Sequence, residues 1–352
     1  MTDTTTTGGS GASPDPAPTS TSFSLGSLMR SPAAGAFMGF ALVFVAFALF
    51  GYERNFLSIS GVSTWVNFAS SVGMIAIPVG FLMIAGELDI SVGAVLPASS
   101  MTVAIASGYY ELPIMVGILA ALSVGALIGW VNGMIVTRTQ VPSFIVTLAT
   151  LFAVAGLTLS LSILFINTTQ TSLNAPEWAK SLFGGRALGG FRSSVFWWLG
   201  MIGVFVYFLH YSPWGNWVFA LGGDQESARN AGIPTRRLKI GLFMLCSTST
   251  AFAGVLQTIQ FNSATSQANF GMIFNTIIAV VVGGALLTGG FGTVMGIVFG
   301  ALTLGVVQQG IGYTEIDRNL SFLIIGVMLL VAVLMNETFR KLATNWSTSK
   351  KK

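Results

Sequence analysis

The chain is predicted to be all-α and polytopic, with about ten helices crossing a membrane. Its mean hydropathy is +0.77. Only 8% of its 352 residues are charged, which excludes an ordinary soluble globule and a disordered chain alike. The apolar residues also gather into runs close to the ~20 needed to span a bilayer. One cysteine, Cys246, allows no intrachain disulfide, and with the single His210 it makes no zinc site of the usual Cys/His kind. The formal charge of +4 lies mainly between and beyond apolar runs, so it reads as a set of orientation signals and not as a nucleic-acid surface.

Taken in order, residues 1–30 are rich in Thr, Ser, Gly, Ala and Pro and hold no apolar run, so they are predicted to be a disordered cytoplasmic tail. A transmembrane domain is predicted over 31–338 and a basic cytoplasmic tail over 339–352. The first span, 34–52, follows a long polar leader without a cleavage motif, which favours a retained helix over a removed signal peptide. Spans two and three are read at 62–84 and 91–107, the third being short. The fourth, 112–137, carries Gly117, Gly125, Gly129 and Gly133 with Ala121 in the gap; small residues every four positions let helix backbones approach closely in lipid. The fifth, 142–165, precedes a long connection at 166–193. The sixth, 194–211, ends at His210 beside Tyr211, Pro213 and Trp214, an interfacial anchor. A second long connection, 212–237, leads to the seventh span at 238–258 and the eighth at 270–288. The ninth, 292–310, repeats the small-residue spacing through Gly292, Gly296 and Gly300. The tenth is read at 319–336.

Basic residues test this order. With the N-terminus in the cytoplasm, 11 of them, Lys239 included, fall inside and 5 outside, as the positive-inside rule requires. Both termini and the segment 220–237 are thereby cytoplasmic, and the loop 166–193 is outside.

Polar chemistry is concentrated in ALGGDQESARNAGIPTRRLK, residues 220–239. It is predicted to be a very short helix marked at both ends. Gly222 and Gly223 break the preceding run, Asp224 caps, Glu226 sits in the first turn and Arg229 in the last. Gly232 suits the C′ position and Pro234 prevents continuation. A short rigid helix at a membrane surface suits docking on a partner protein.

A second segment, GELDISVG at 86–93, sets Glu87 and Asp89 between apolar runs with no basic residue within easy sequence reach. Uncompensated carboxylates are expensive inside a membrane, so they are expected at an interface, in an aqueous cavity or against a helix N-terminus. Asp89 is placed to cap a helix starting near Ser91, while Gly86 and Gly93 allow a sharp turn or close packing. The segment is expected to serve either as a capped turn required for folding or in gating and solute passage, through Glu87, Asp89, Ser91 and Gly93.

Uncharged polar residues inside the spans are Asn67, Asn132, Gln257, Gln260, Asn262, Asn275, Gln308 and Gln309. As a set they suit a neutral hydroxylated solute, with Asn132, Asn275, Gln308 and Gln309 as candidate pathway lining. Taken singly, each is better explained by interhelical hydrogen bonding or a position at the bilayer edge, and only the set points toward a polar passage. No nucleophile, activated histidine or metal-ligand set accompanies the carboxylates, so no catalytic residue and no metal site are predicted. No stretch fits the Gly-x4-Gly-Lys-Ser/Thr phosphate loop, so ATP must bind another chain if it drives transport. The alternative is an ion-coupled secondary carrier of a small polar solute, against which the scarcity of intramembrane charge argues.

Four blocks, in this order, resemble the membrane permeases of binding-protein-dependent ABC importers of the ribose/xylose/arabinose/galactose group: GELDISVGA at 86–94, VPSFIVTLATLFAVAGL at 141–157, ALGGDQESARNAGIPTRRLKI at 220–240, and IIAVVVGGALLTGGFGTVMGIVFGALTLGVV at 277–307. The resemblance covers about residues 60–336. Where that family commonly has Gly-Gly-Ile-Asp-Leu-Ser-Val-Gly, this chain departs at Glu87, an acidic group in place of a glycine. Gly222, Gly223, Glu226, Ala228, Arg229, Gly232 and Ile233 match the family's cytoplasmic segment, which implies that they form the coupling helix, capped by Asp224, that docks on the ATP-binding subunit. The resemblance further implies a type II-like importer in the bacterial inner membrane. Its partners would be a second permease copy or paralogue, an ABC ATP-binding subunit carrying ATP and Mg, and an extracytoplasmic sugar-binding protein. The solute would be a monosaccharide or polyol. No cofactor is expected on this chain itself.

Overall fold

The computed structural model describes residues 32–315, 317 and 319–331. The predicted tails 1–30 and 339–352 and the end of the tenth span lie outside the described residues.

Each of the ten predicted spans falls on an apolar helix. They are α1 (Pro32–Phe50), α2 (Ile59–Ile84), α3 (Val92–Ala104, continued in wider turns to Tyr109), α4 (Ile114–Arg138) and α5 (Ser143–Ile166). After a connection containing β1 (Gln170–Ser172), β2 (Arg186–Ala187) and β3 (Phe191–Arg192) comes α6 (Ser193–His210). Two short helices, α7 (Pro213–Gly223) and α8 (Gln225–Asn230), lead into α9 (Thr235–Phe261). The chain then passes through β4 (Ser263–Thr265), α10 (Phe270–Val282), α11 (Val294–Gly310) and α12 (Leu320–Val331).

Among the described residues, 8 helices are long and apolar enough to cross a membrane, and α10 and α12 are shorter. The eighth predicted span, 270–288, therefore needs correction. Its helix ends at Val282 after 13 residues, about 20 Å at 1.5 Å per residue against ~30 Å of hydrocarbon. Residues 283–293 instead fold as an irregular turn in which Gly284, Gly289, Gly290 and Gly292 all take positive φ. The connection 212–237 also holds more structure than its charge pattern indicates. Pro213 occupies the first position of α7, which buries Gly215, Val218 and Leu221 and leaves Trp214 exposed, the division expected of a helix lying at an interface.

Helix α2 is the central post. From Val72 to Ile84 every residue is buried, so it is apolar on all sides. It packs against α11, α9, α10 and α6. Helix α5 is the opposite case: Phe152, Leu157, Leu164 and Phe165 are exposed, and its buried stripe includes Ser143, Thr147, Thr158 and Ser162. An apolar outside with a partly polar inside is the pattern required when the surrounding solvent is lipid.

Along α4 the glycine repeat does what its spacing predicts. A β-carbon at Gly129 would lie 2.7 Å from the Met244 Cα, and one at Gly133 would lie 2.7 Å from the Ile240 Cα, both on α9. Backbone meets backbone there, so no side chain can give way. Of the two short antiparallel pairs at the end of the bundle remote from α8, β1 with β4 joins two connections and β2 with β3 closes a hairpin within one of them. Gly133→Leu is expected to destabilise the protein by roughly 1–3 kcal/mol through overpacking. Loss of folded, monodisperse protein on size exclusion and a lowered melting temperature would register it, while Gly156→Leu, which meets open space, serves as the control.

Candidate functional site

Helix α8 has the ends that its sequence predicts. The Asp224 carboxylate accepts the Ser227 N–H at 2.6 Å, and its backbone is extended, as an N-cap requires. At the other end Gly232 has φ +84°, its N–H reaches the Arg229 carbonyl at 3.0 Å, and the Ile233 N–H reaches the Ala228 carbonyl at 3.1 Å. That pair of bonds is a Schellman cap, and the left-handed position suits glycine. Of the helix only Ala228 is buried; Asp224, Gln225, Glu226, Ser227, Arg229 and Asn230 are exposed. The helix thus presents a free, rigid, mixed-charge face.

The seat of α8 is made from three glycine-bearing turns. The Ile84 carbonyl, at the end of α2, accepts the Gly290 N–H at 2.7 Å. Gly222 lies so close to that carbonyl that a β-carbon would strike it, and a β-carbon on Gly289 would stand 2.9 Å from both the Gly222 carbonyl oxygen and the Gly86 Cα. Gly223 borders the same cluster through Gly290.

Residues 85–91 leave helical geometry inside the protein, and several of the backbone groups so released find partners. The Glu87 N–H bonds the Leu82 carbonyl at 2.8 Å, the Leu88 N–H bonds Ser143 Oγ at 3.1 Å, and the Ile90 N–H bonds Thr147 Oγ1 at 3.2 Å. Asp89 accepts from the Ser91 N–H at 2.9 Å and the Ser91 hydroxyl at 2.5 Å, with Ser247 Oγ at 3.5 Å. Asn132 is fully buried and spoken for: its amide donates to Ser91 Oγ at 2.9 Å and its carbonyl accepts from Thr150 at 2.7 Å. The Gly93 carbonyl takes the Asn269 N–H at 2.8 Å, and Ile273 packs where a β-carbon would stand. The segment joins α2, α3, α4, α5, α9 and the start of α10.

Glu87 is not uncompensated. It forms an ion pair with Lys239, 152 positions away in sequence, and both side chains are about nine-tenths buried. Sequence proximity had hidden the partner, because α9 returns to the segment only through the fold. Lys239 Nζ also donates to Gln225 Oε1 at 2.6 Å.

At the opposite end of the bundle lies a cavity of about 420 Å³, lined by Ser63, Thr64, Asn67, Gln260, Gln309 and Arg192 among others. Asn67 ties the β2–β3 hairpin to α2, donating to the Gly190 carbonyl at 3.0 Å and accepting from the Arg192 N–H at 2.9 Å. The amides of Gln260 and Gln309 carry no hydrogen bond among the described residues. Gln309 is thus the one member of the candidate pathway set in this cavity. Gln308 and Asn275 are half-buried elsewhere and likewise without a side-chain bond among the described residues. A larger hollow of about 560 Å³ between α4 and α5 is lined almost wholly by apolar side chains such as Leu127, Ile128 and Ile145, as a lipid-facing groove would be.

A family model described as the branched-chain amino acid transport system / permease component matches residues 61–333. The chain belongs to this family. It is 30% identical over 287 residues to the ribose import permease protein RbsC of Escherichia coli (strain K12), covering 80% of this chain and 87% of that protein. It is 29% identical over 326 residues to the fructose import permease protein FrcC of Rhizobium meliloti, covering 90% and 88%. To the L-arabinose ABC transporter permease protein AraH of Azospirillum brasilense it is 31% identical over 309 residues, covering 86% and 87%. No solved structure matches. This permease component is a multi-pass membrane transport subunit and not an enzyme.

Sequence reasoning missed Lys239, Ser143, Thr147, Thr150 and Ser247. The signal for three of them was present, since Ser143, Thr147 and Thr150 recur on one face of the second matching block.

Thr147→Val removes the acceptor of the Ile90 N–H and is expected to cost about 1–3 kcal/mol, whereas Thr147→Ser retains it; thermal unfolding in detergent compares the two. Hydrogen bonds from Ser227, its side chain first and its N–H second, hold the Asp224 carboxyl below the usual carboxylate range. A depressed value means the cap is complete above the ordinary 3.8 and is lost as pH falls through the lower folded value. Hydrogen–deuterium exchange of the α8 peptide, corrected for its intrinsic pH dependence, should rise in that acid window, and Asp224→Asn should abolish the dependence.

Proposed function

We propose that this permease component is a membrane subunit of an ATP-driven importer that passes a small hydroxylated solute, a monosaccharide or polyol, from an extracytoplasmic binding protein to the cytoplasm. The observation that carries the proposal is α8, a capped helix with a free face whose seat is the end of the central helix α2. Its Asp224, Glu226 and Arg229 supply the charged contacts to an ABC ATP-binding subunit. Gly222 lets it sit against the bundle, Ala228 anchors it, and Gly232 closes it. ATP and Mg bind on that partner, and nucleotide-dependent closure there supplies the force. Within this chain, α8 receives the displacement, and Glu87, Asp89, Ser91 and Gly93 hold the non-helical segment that yields to it.

The solute class rests on the sugar names of the curated relatives and on the chemistry of the outer cavity. Hydroxyls of Ser63 and Thr64 and the amides of Asn67, Gln260 and Gln309 match the donors and acceptors of a polyol. A second permease copy or paralogue completes the pathway. The chain lies in a bacterial inner membrane with both termini cytoplasmic, an orientation supported by the distribution of basic residues, and residues 1–30 and 339–352 are its cytoplasmic tails.

Co-purification with the partner ATPase tests the docking role. Arg229→Glu or Gly232→Val is expected to weaken assembly by about tenfold, roughly 1.4 kcal/mol, with ATP-driven uptake falling alongside. Unchanged assembly and uptake in both variants would remove α8 from the interface. The solute is identified by the sugar or polyol that raises the melting temperature of the partner binding protein.

A further inference from the structure

Among the described residues three ion pairs occur, and two of them, Arg54 with Glu315 and Lys180 with Glu177, are substantially exposed. The third, Lys239 with Glu87, is buried and is built differently. One ammonium reaches two oxygens on separate parts of the chain: Glu87 in the non-helical segment and Gln225 in the first position of α8. Gln225 makes the only side-chain hydrogen bond that α8 gives to another element among the described residues. Elsewhere the helix is held by the burial of Ala228 and by its own chain connections.

We propose that Lys239 is a positioning residue that transmits displacement of α8 to the segment 86–91, acting as a strut between the docking helix and the hinge of the α2–α3 pair. Lys239 stands in the second turn of α9, a long helix packed against α4, so its backbone is the fixed point. Its four-carbon stem is the movable arm. Moving α8 drags Gln225, and the ammonium must then either follow, pulling Glu87, or abandon a buried carboxylate. Abandonment is the expensive choice, because an unpaired charge in a buried site is strongly unfavourable. Glu87 is followed directly by Leu88, whose N–H is held by the Ser143 hydroxyl, and then by Asp89, whose partner Ser91 is held by Asn132. These are single hydroxyl and amide bonds that can be exchanged one at a time, unlike a helix ladder. A pull on Glu87 therefore meets the part of the transmembrane core best able to change its bonding.

The proposal rests on the reading of α8 as the docking helix. Its test uses the full complex of permease, ATPase and binding protein in proteoliposomes, with solute uptake and ATP hydrolysis measured together. Lys239→Met is expected to assemble with the ATPase as the parent does and to hydrolyse ATP, while solute moved per ATP falls about tenfold, within the span of ordinary inter-site coupling. The exchange Glu87→Lys with Lys239→Glu is expected to recover most of that ratio. If Lys239→Met does not fold, Gln225→Ala, on the exposed end of the strut, is expected to lower the same ratio with assembly retained. An unchanged ratio in whichever of these two variants folds overturns the strut. Loss of assembly in Arg229→Glu together with an unchanged ratio in Lys239→Met or Gln225→Ala would sink the strut and leave the docking reading standing; intact assembly and uptake in Arg229→Glu would sink the docking reading itself.

Discussion

A backbone that leaves the helix inside an apolar medium must have every N–H and carbonyl satisfied by protein, since no water is there to do it. That requirement at residues 85–91 organises much of the remaining structure. The Ser143 and Thr147 hydroxyls answer the N–H groups of Leu88 and Ile90, so α5 has to lie alongside with that face inward. Thr150 on the same helix positions Asn132, which in turn holds Ser91. Few large apolar side chains fix α5 to the bundle. What places it is a stripe of hydroxyls meeting an unwound strand, and its apolar residues are left to face outward.

The carbonyl end of α2 presents the same problem and is solved by a different element. Ile84 is the last residue of the helix, and the Gly290 N–H from the turn after α10 supplies the missing donor. That contact brings the 283–293 turn beneath α2, and Gly222 enters the same space because it has no side chain to exclude it. Gly86 and the pairs Gly222–Gly223 and Gly289–Gly290, far apart in the sequence, therefore describe one place in the fold. The surface helix α8, the central helix and the irregular turn share it, so a force applied to any one of them reaches backbone rather than a compressible layer of side chains.

Local chemistry was legible in the sequence to a high degree. Asp224, Gly232 and Pro234 carry their own geometric demands, and the capped helix between them follows from residue type alone. The apolar runs and the Gly125–Gly129–Gly133 spacing likewise declare a lipid-embedded bundle and one of its tight seams. What could not be read is what the fold brings together from a distance. Glu87 looked isolated because its cation is 152 residues away. Asn132 read as pathway lining only as one of a set, since an intramembrane amide taken singly is better explained by a buried network. The run 270–288 read as a full span because hydropathy sums side chains and ignores φ, and the glycines that end the helix at Val282 are themselves compatible with an apolar window. Helix α7 escaped notice for a related reason: its apolar side chains are too few for a span, and its surface placement depends on where α6 ends.

Lys239 shows how one residue can satisfy two constraints that are usually assigned to different residues. Counted by sequence it is a cytoplasmic-side cation that orients α9, and in the structure it remains near that end of the helix. Its ammonium is nonetheless turned inward and buried against Glu87. A pair of this kind contributes little net stability, since desolvation offsets much of the attraction. Its value lies in directionality: breaking it is costly, so the segments it joins move together or not at all. The neighbouring carboxylate, Asp89, is satisfied by neutral donors, the Ser91 N–H and the Ser91 and Ser247 hydroxyls, and imposes no such tie. The two acidic residues of one short motif thus divide the work, Asp89 holding the turn in shape through Ser91 and Glu87 connecting that turn to the helix on the surface.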